Sequence, residues 1–424
     1  MKEYKRRIAD AILQKNLEAH GAVLVEGAKW CGKTTTAAKM ASSVLYMQEP
    51  GKVRRNLELA EIQPSRLLEG AAPRLIDEWQ MAPQLWDAVR FEVDRRDEFG
   101  QFILTGSVTP PDHSLIHHSG VGRIVRMLMR PMSLYESGDS TGTVSLRELF
   151  EGKQEIVGHA ELSFDQLAYL ICRGGWPRAL GCSEKIALRQ APAYYNAVVN
   201  TEMRGADDVN RSRDRVELFM RAYARAVASQ TSLQAMVLDM EANDVQKLDA
   251  DTVAAYLSAL KKIFVIEESE AWNPNLRSKT AIRTTHTRYF TDPSIGIAAL
   301  GTNPGELTRD LDTMGLFFEN LCVRDLRIYA DALGGRIYHY RDKSGLECDA
   351  VIRLNNGRYG LAEVKLGGHQ AIEAAADTLH RLEARINTVR MRAPSFKMVL
   401  AGTEDLAYRR QDGVLVVPIG ALRD

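Results

Sequence analysis

The sequence predicts an α/β protein in three parts: a doubly wound parallel sheet over residues 1–140, a helical region over 141–310, and a second α/β unit over 311–424. Three observations predict it. The run Ala22-Val23-Leu24-Val25-Glu26 has the length and apolar content of a strand buried on both faces, and a glycine-rich turn and a helical stretch follow at once. Residues 74–77, 85–95 and 101–105 then alternate strand, helix and strand, as in a parallel sheet with crossover helices. Beyond Met314, a helical stretch leads to strands at 336–340, 348–354 and 359–364, a helix over 369–384, and strands at 397–400 and 414–418.

The remaining elements follow in order. A first helix is expected over 4–19. Ser, Gly, Asp and Thr accumulate over 131–142, which marks the first boundary, and residues 163–260 have helical apolar spacing. Arg173-Gly174-Gly175-Trp176-Pro177 breaks that stretch, a sharp turn followed by a rigid restart, and is read as structural. Periodicity over 251–268 ends in Ile263-Phe264-Val265-Ile266, and after a polar turn comes Arg288-Tyr289-Phe290-Thr291, which suits a small helical domain carrying a β-wing.

Composition excludes several classes. Among 424 residues the 55 basic and 55 acidic side chains balance, so charge argues for a nucleic-acid partner only locally, at Arg213, Arg215, Arg221, Arg225, Lys261-Lys262 and residues 277–288. The five cysteines are odd in number and lack C-x-x-C pairing, which argues against a disulfide framework or a zinc site. No signal-like segment precedes Val23 and no 18 apolar residues run together, so a cytoplasmic protein without a membrane partner is expected.

Gly27-Ala28-Lys29-Trp30-Cys31-Gly32-Lys33-Thr34 fits G-x-x-x-x-G-K-[ST], with Thr35 next in line. The glycines let the backbone curl so that N–H groups face phosphate oxygens, Lys33 reaches the terminal phosphates, and the Thr34 hydroxyl ligates Mg2+. ATP with Mg2+ is the expected ligand. Leu75-Ile76-Asp77-Glu78 ends an apolar strand with two carboxylates, Asp77 for the metal's water and Glu78 to polarise the attacking water. Thr105-Gly106-Ser107 ends the next strand, where Ser107 is placed to touch the γ-phosphate.

These motifs, with Trp79-Gln80, Leu104-Thr105-Gly106-Ser107, Gly122-Arg123 and Pro131-Met132-Ser133-Leu134, resemble the AAA-type ATPase family of prokaryotes whose C-terminal domain has no known function. The resemblance implies an arginine finger at Arg123, completing a neighbouring subunit's site and hence a homo-oligomer. Trp79 departs from the usual aliphatic residue, and His117-His118 lengthens the segment before Gly122; a metal at that pair is not expected.

A second constellation lies in Glu347-Cys348-Asp349-Ala350 and Leu361-Ala362-Glu363-Val364-Lys365. On neighbouring strands Asp349 and Glu363 can meet at one divalent cation, with Lys365 on the face of Glu363 to steer a hydroxide, an arrangement for phosphodiester hydrolysis. The order of elements resembles the restriction-endonuclease-like superfamily, which implies that Glu319 on the preceding helix joins the cluster. The leading expectation is an ATPase controlling a winged-helix and nuclease-like arm that binds or cuts DNA. Its rival is an ATP-dependent switch for a protein partner, the C-terminal unit being an inactive scaffold. A metabolic kinase is disfavoured, because no small-substrate signature follows the loop.

Overall fold

A computed structural model describes residues 4–107, 120–153, 155–203, 212–242, 250–274, 285–386 and 391–424. His117-His118 and the basic residues 277–284 lie outside them. The N-terminal part runs α1 (Ile8–Ala19), β1 (Ala22–Glu26), α2 (Lys33–Met40), β2 (Ser43–Tyr46), α3 (Val53–Ile62), β3 (Arg74–Asp77), α4 (Leu85–Arg96), β4 (Phe102–Gly106) and β5 (Ile124–Leu128). Its five strands are all parallel, in the order β2-β3-β4-β1-β5. Period-two alternation sends Val23, Val25 and Ile103 toward Leu13 of α1 and Ala37 of α2, and Leu24, Ile76 and Leu104 toward Leu85 and Val89 of α4. That is the doubly wound sheet expected. β2 and β5, its two edges, were not among the expected strands.

The middle of the chain is α5 (Leu134–Ser137), β6 (Val144–Ser145), α6 (Leu146–Phe150), β7 (Gly158–His159), α7 (Phe164–Arg173), α8 (Glu184–Ala187), α9 (Gln190–Ala197), α10 (Arg213–Arg225), α11 (Leu233–Glu241), α12 (Ala250–Lys262), α13 (Pro293–Leu300) and α14 (Pro304–Leu307). After α12 an antiparallel arm forms through the bridges Ile266 to Phe290 and Ser269 to Thr287. Much of the local basic charge is neutralised within the fold: Arg213 pairs with Glu217, Arg225 with Asp239, and Lys261 and Arg288 both with Glu268.

The C-terminal part is α15 (Leu311–Ala332), β8 (Gly335–Arg341), β9 (Glu347–Leu354), β10 (Tyr359–Lys365), α16 (His369–Arg385), β11 (Lys397–Ala401), β12 (Leu406–Arg409), β13 (Leu415–Pro418) and β14 (Leu422–Arg423). Seven strands form one mixed sheet in the order β7-β12-β13-β11-β10-β9-β8. Phe317 and Leu321 of α15 cover the face of Ile352 and Ala362, and Ile372 and Leu379 of α16 cover the face of Val351 and Leu361. β7 pairs with β12, and β6 with β14, so residues 141–159 are stitched to the C-terminal half. Among the described residues no helix is long and apolar enough to cross a membrane, and all five cysteines are free.

Candidate active site

The glycine loop leaves β1 at the carboxyl end of the sheet. Gly27 takes φ 148°, and a Cβ there would stand 2.1 Å from the Met129 carbonyl oxygen, so β5's exit admits only glycine. Trp30 (φ 67°) and Gly32 (φ 106°) complete the curl, and α2 starts at Lys33 with no side chain capping it. Its first N–H groups are therefore open to an anion. Lys33 is buried, and its Nζ donates to the carbonyls of Gly27 (2.8 Å) and Ala28 (2.9 Å), which holds the loop closed on its own lysine. Arg7 braces the loop from outside: it donates to Cys31 O and Arg130 O, each at 2.9 Å, and pairs with buried Glu136. The last residue of the basic run Lys5-Arg6-Arg7 gives no sequence signal that sets it apart from its neighbours, and Arg7 was missed for that reason.

Asp77 stands two strands from the loop, with β4 between. That spacing lets one carboxylate oxygen, Oδ1, accept from the Thr34 hydroxyl at 2.7 Å and from the Thr105 hydroxyl at 2.6 Å. The metal-binding pair expected from sequence is thus joined directly, and Thr105 belongs with it. Thr34 donates its proton to Asp77 and keeps its lone pairs, which suits a Mg2+ ligand. Glu78 sits in the left-handed region at φ 58°, and its Oε2 accepts from Gln80 Nε2 and from Ser107 Oγ at 3.4 Å. Ser107 is therefore placed against Glu78 at the end of β4.

An open cleft of about 1350 Å3 lies beside the loop, lined by Tyr4, Gly32, Thr35, Met132, Pro177 and Arg178 among others. It places the Gly-Gly-Trp-Pro turn next to the nucleotide loop. Arg123 is elsewhere. Ala22, which starts β1, pairs with Ile124, so Arg123 lies at the amino end of the sheet, about 16 Å of strand from the loop. Its guanidinium is held by Asp94 at 2.8 Å. The structure does not bring Arg123 to its own chain's site.

A parallel sheet with a glycine loop between β1 and α2, and an acid on a strand beyond the neighbouring one, defines a P-loop nucleoside triphosphatase. More particularly, residues 19–138 match the family model "AAA domain", so this part of the chain is similar to AAA-type P-loop domains. Residues 164–306 and 314–422 match two domains of unknown function, DUF8612 and DUF4143. Two uncharacterized proteins, of Mycobacterium bovis and Mycobacterium tuberculosis, are each 23% identical over 371 residues, 85% of this chain and 74% of theirs. Among solved structures, the Walker-type ATPase of Pyrococcus abyssi aligns at 15% identity over 70% of this chain and 96% of its own, with a TM-score of 0.43.

The second constellation gathers on β9, β10 and α15. Lys365 Nζ lies 2.8 Å from Glu363 Oε2 and 3.4 Å from Asp349 Oδ2, and the Val364 N–H donates to Asp349 Oδ2 at 2.8 Å. Glu319 is partly buried on α15 and accepts the Tyr289 hydroxyl at 2.6 Å. Burial, then the charge of Asp349, pushes Glu363 up to about 8 against the pull of Lys365. Burial first and Asp349 second also raise Glu319 well above the carboxylate range. Tyr338 pairs with Val351 and Tyr340 with Cys348, so Asp349 and Ala350 together oppose one residue, His339, a bulge beside the acids. The expected three-acid cation site of Glu319, Asp349 and Glu363 is not met. Among the described residues no three His, Cys, Asp or Glu side chains are grouped to hold one ion, and the Lys365 ammonium is paired with both Asp349 and Glu363.

Proposed function

We propose that the protein is a cytoplasmic machine that hydrolyses ATP over Gly27-Ala28-Lys29-Trp30-Cys31-Gly32, with Lys33 on the terminal phosphates. Thr34 and Asp77 would hold Mg2+, which neutralises phosphate charge when bound. Glu78 orients the attacking water through the carboxylate oxygen not engaged by Gln80 and Ser107. The observation that supports this best is the single Asp77 oxygen shared by the Thr34 and Thr105 hydroxyls. Arg123 acts only on a neighbouring copy's site, so full turnover requires a homo-oligomer. Glu78→Gln should keep nucleotide binding and lower turnover about 10²- to 10⁴-fold, while Lys33→Ala should lose binding. Turnover by Glu78→Gln within about threefold of wild type would sink the reading.

The load is the C-terminal half. Asp349, Glu363 and Lys365 on adjacent strands suit metal-assisted phosphodiester cleavage, and the buried, unpartnered Glu363 Oε1 supports a second divalent cation there, on DNA as substrate. Labelled plasmid with Mg2+ or Mn2+ tests it, and Glu363→Ala must abolish any nicking. The rival, an ATP-dependent switch for a protein partner, is favoured by the paired state of Arg213, Arg225 and Arg288, and gains if wild type leaves the plasmid intact.

A further inference from the structure

Trp30 is an unusual residue for the inside of a phosphate loop. It is large, left-handed in backbone and 40% exposed, and its ring meets Tyr194 of α9 edge-on at 5.5 Å. Tyr194 in turn lies against Trp176 at 4.4 Å. Trp176 is buried in the Gly-Gly-Trp-Pro turn, and its Nε1 donates to Ser294 Oγ at 2.9 Å. Ser294, in the first turn of α13, donates to Asp292, which pairs with Arg324 of α15 at 2.8 Å with both side chains out of solvent.

The glycines explain why this path is tight. A Cβ on Gly174 would fall 2.3 Å from Asp292 Oδ1, and one on Gly175 would fall 2.1 Å from Met132 O. The turn is wedged between the exit of the ATPase sheet and Asp292, to which Gly175 N donates at 2.8 Å. Just upstream of Asp292, the Phe290 backbone is bonded on both sides to Asn320, and Tyr289 gives its hydroxyl to Glu319. Residues 289–294 thus sit between the aromatic stack and the helix that bears Glu319. Packed cores shift between discrete arrangements rather than deforming continuously, so motion of Trp30 is passed along such a path.

Trp30 has reason to move. Lys33 is bonded to the carbonyls of Gly27 and Ala28, and a triphosphate that draws Lys33 away breaks both bonds and frees residues 28–31 to rearrange around it. Resting on the ATP reading above, we propose that Trp30, Tyr194 and Trp176 form an aromatic relay by which filling of the phosphate loop sets the position of residues 289–294 on the Glu319 helix.

The test is hydrogen exchange on the full chain with and without saturating Mg2+ and a non-hydrolysable ATP analogue, with binding measured separately by calorimetry. Wild type should show exchange in peptides from 292–300 and 311–324 altered about fivefold or more by the analogue. Tyr194→Leu should lose that response at saturation, Tyr194→Phe should retain it because the ring remains, and Ser294→Ala should lose it from 311–324. Analogue binding without altered exchange at 292–324 in wild type overturns the relay alone, as does a full response in Tyr194→Leu. Failure of the analogue to bind wild type overturns the ATP reading and the relay with it. If Tyr194→Leu does not fold, Ser294→Ala against wild type decides.

Discussion

Replacing Glu363 with glutamine should change how the C-terminal half responds to pH. Glu363 is 4% exposed, and its folded pKa is pushed to about 8, first by burial and then by Asp349. An unfolded chain releases that proton near the ordinary glutamate value of about 4.3. Between the two values the folded state holds a proton that the unfolded state has lost, so stability falls as pH rises. The full gap would correspond to about 5 kcal/mol at about 1.36 kcal/mol per pH unit. Coupling of its titration to that of Glu319 reduces this to a few kcal/mol. The amide introduced by Glu363→Gln does not titrate, so its pH-independent cost drops out and only the slope is compared. Urea titrations of both proteins at pH 5, 6.5 and 8, read by hydrogen exchange in β9 and β10, measure it. Wild type should lose stability relative to Glu363→Gln from pH 5 to 8. A difference that stays flat or grows in favour of wild type would refute the buried, protonated acid.

Three further outcomes follow from the ATPase sheet and its surroundings. Thr105→Val removes a donor from Asp77 Oδ1 and should cost about 1 kcal/mol of stability while raising the Mg2+ needed for half-maximal turnover, both read by titration. Gly27→Ala drives a Cβ into the Met129 carbonyl and should abolish nucleotide binding even where the chain still folds, as calorimetry against circular dichroism would show. Arg123→Ala should leave nucleotide affinity unchanged and lower turnover only at concentrations where copies associate, visible as loss of the concentration dependence of specific activity.

What was legible in sequence was local. The loop from Gly27 to Thr34 and the Asp77-Glu78 pair are chemistry written in consecutive residues, and each lies where its motif placed it. The strands missed are short or edge-lying. β2 has four residues alternating half-buried and exposed, and β5 is interrupted by Arg126, whose guanidinium lies over the Trp86 ring and pairs with Glu26. Their apolar signal was too weak without knowledge of the neighbours. The bracing of the loop by Arg7 depends on Glu136, 129 residues away, which no spacing rule reaches. In the C-terminal cluster the charge balance was not readable: Lys365, expected to steer a hydroxide, is bonded to the very acids meant for the cation.

The two halves are fastened along one side by charge. Arg130, at the exit of β5, is buried and pairs with Glu267 at 2.7 Å and with Asp331 of α15. Burial would raise Glu267, but Arg130 and Arg327 outweigh it and hold the carboxyl down at about 2. Close by, Asp325 accepts the Leu134 N–H at 2.9 Å while paired with Arg324. Removing one member of such a buried pair costs about 3–5 kcal/mol, because the other charge is left unsatisfied. A nucleotide cycle that had to break these contacts would face that cost repeatedly. The aromatic contact of Trp30 with Tyr194 carries no such penalty: it is half-exposed, uncharged at Trp30, and worth about 0.5–1.5 kcal/mol. Movement that leaves the Arg130 cluster intact and remakes the Trp30 contact is therefore the less costly route, which is why the relay side of the molecule, and not the charged seam, is where the ATP cycle should be felt.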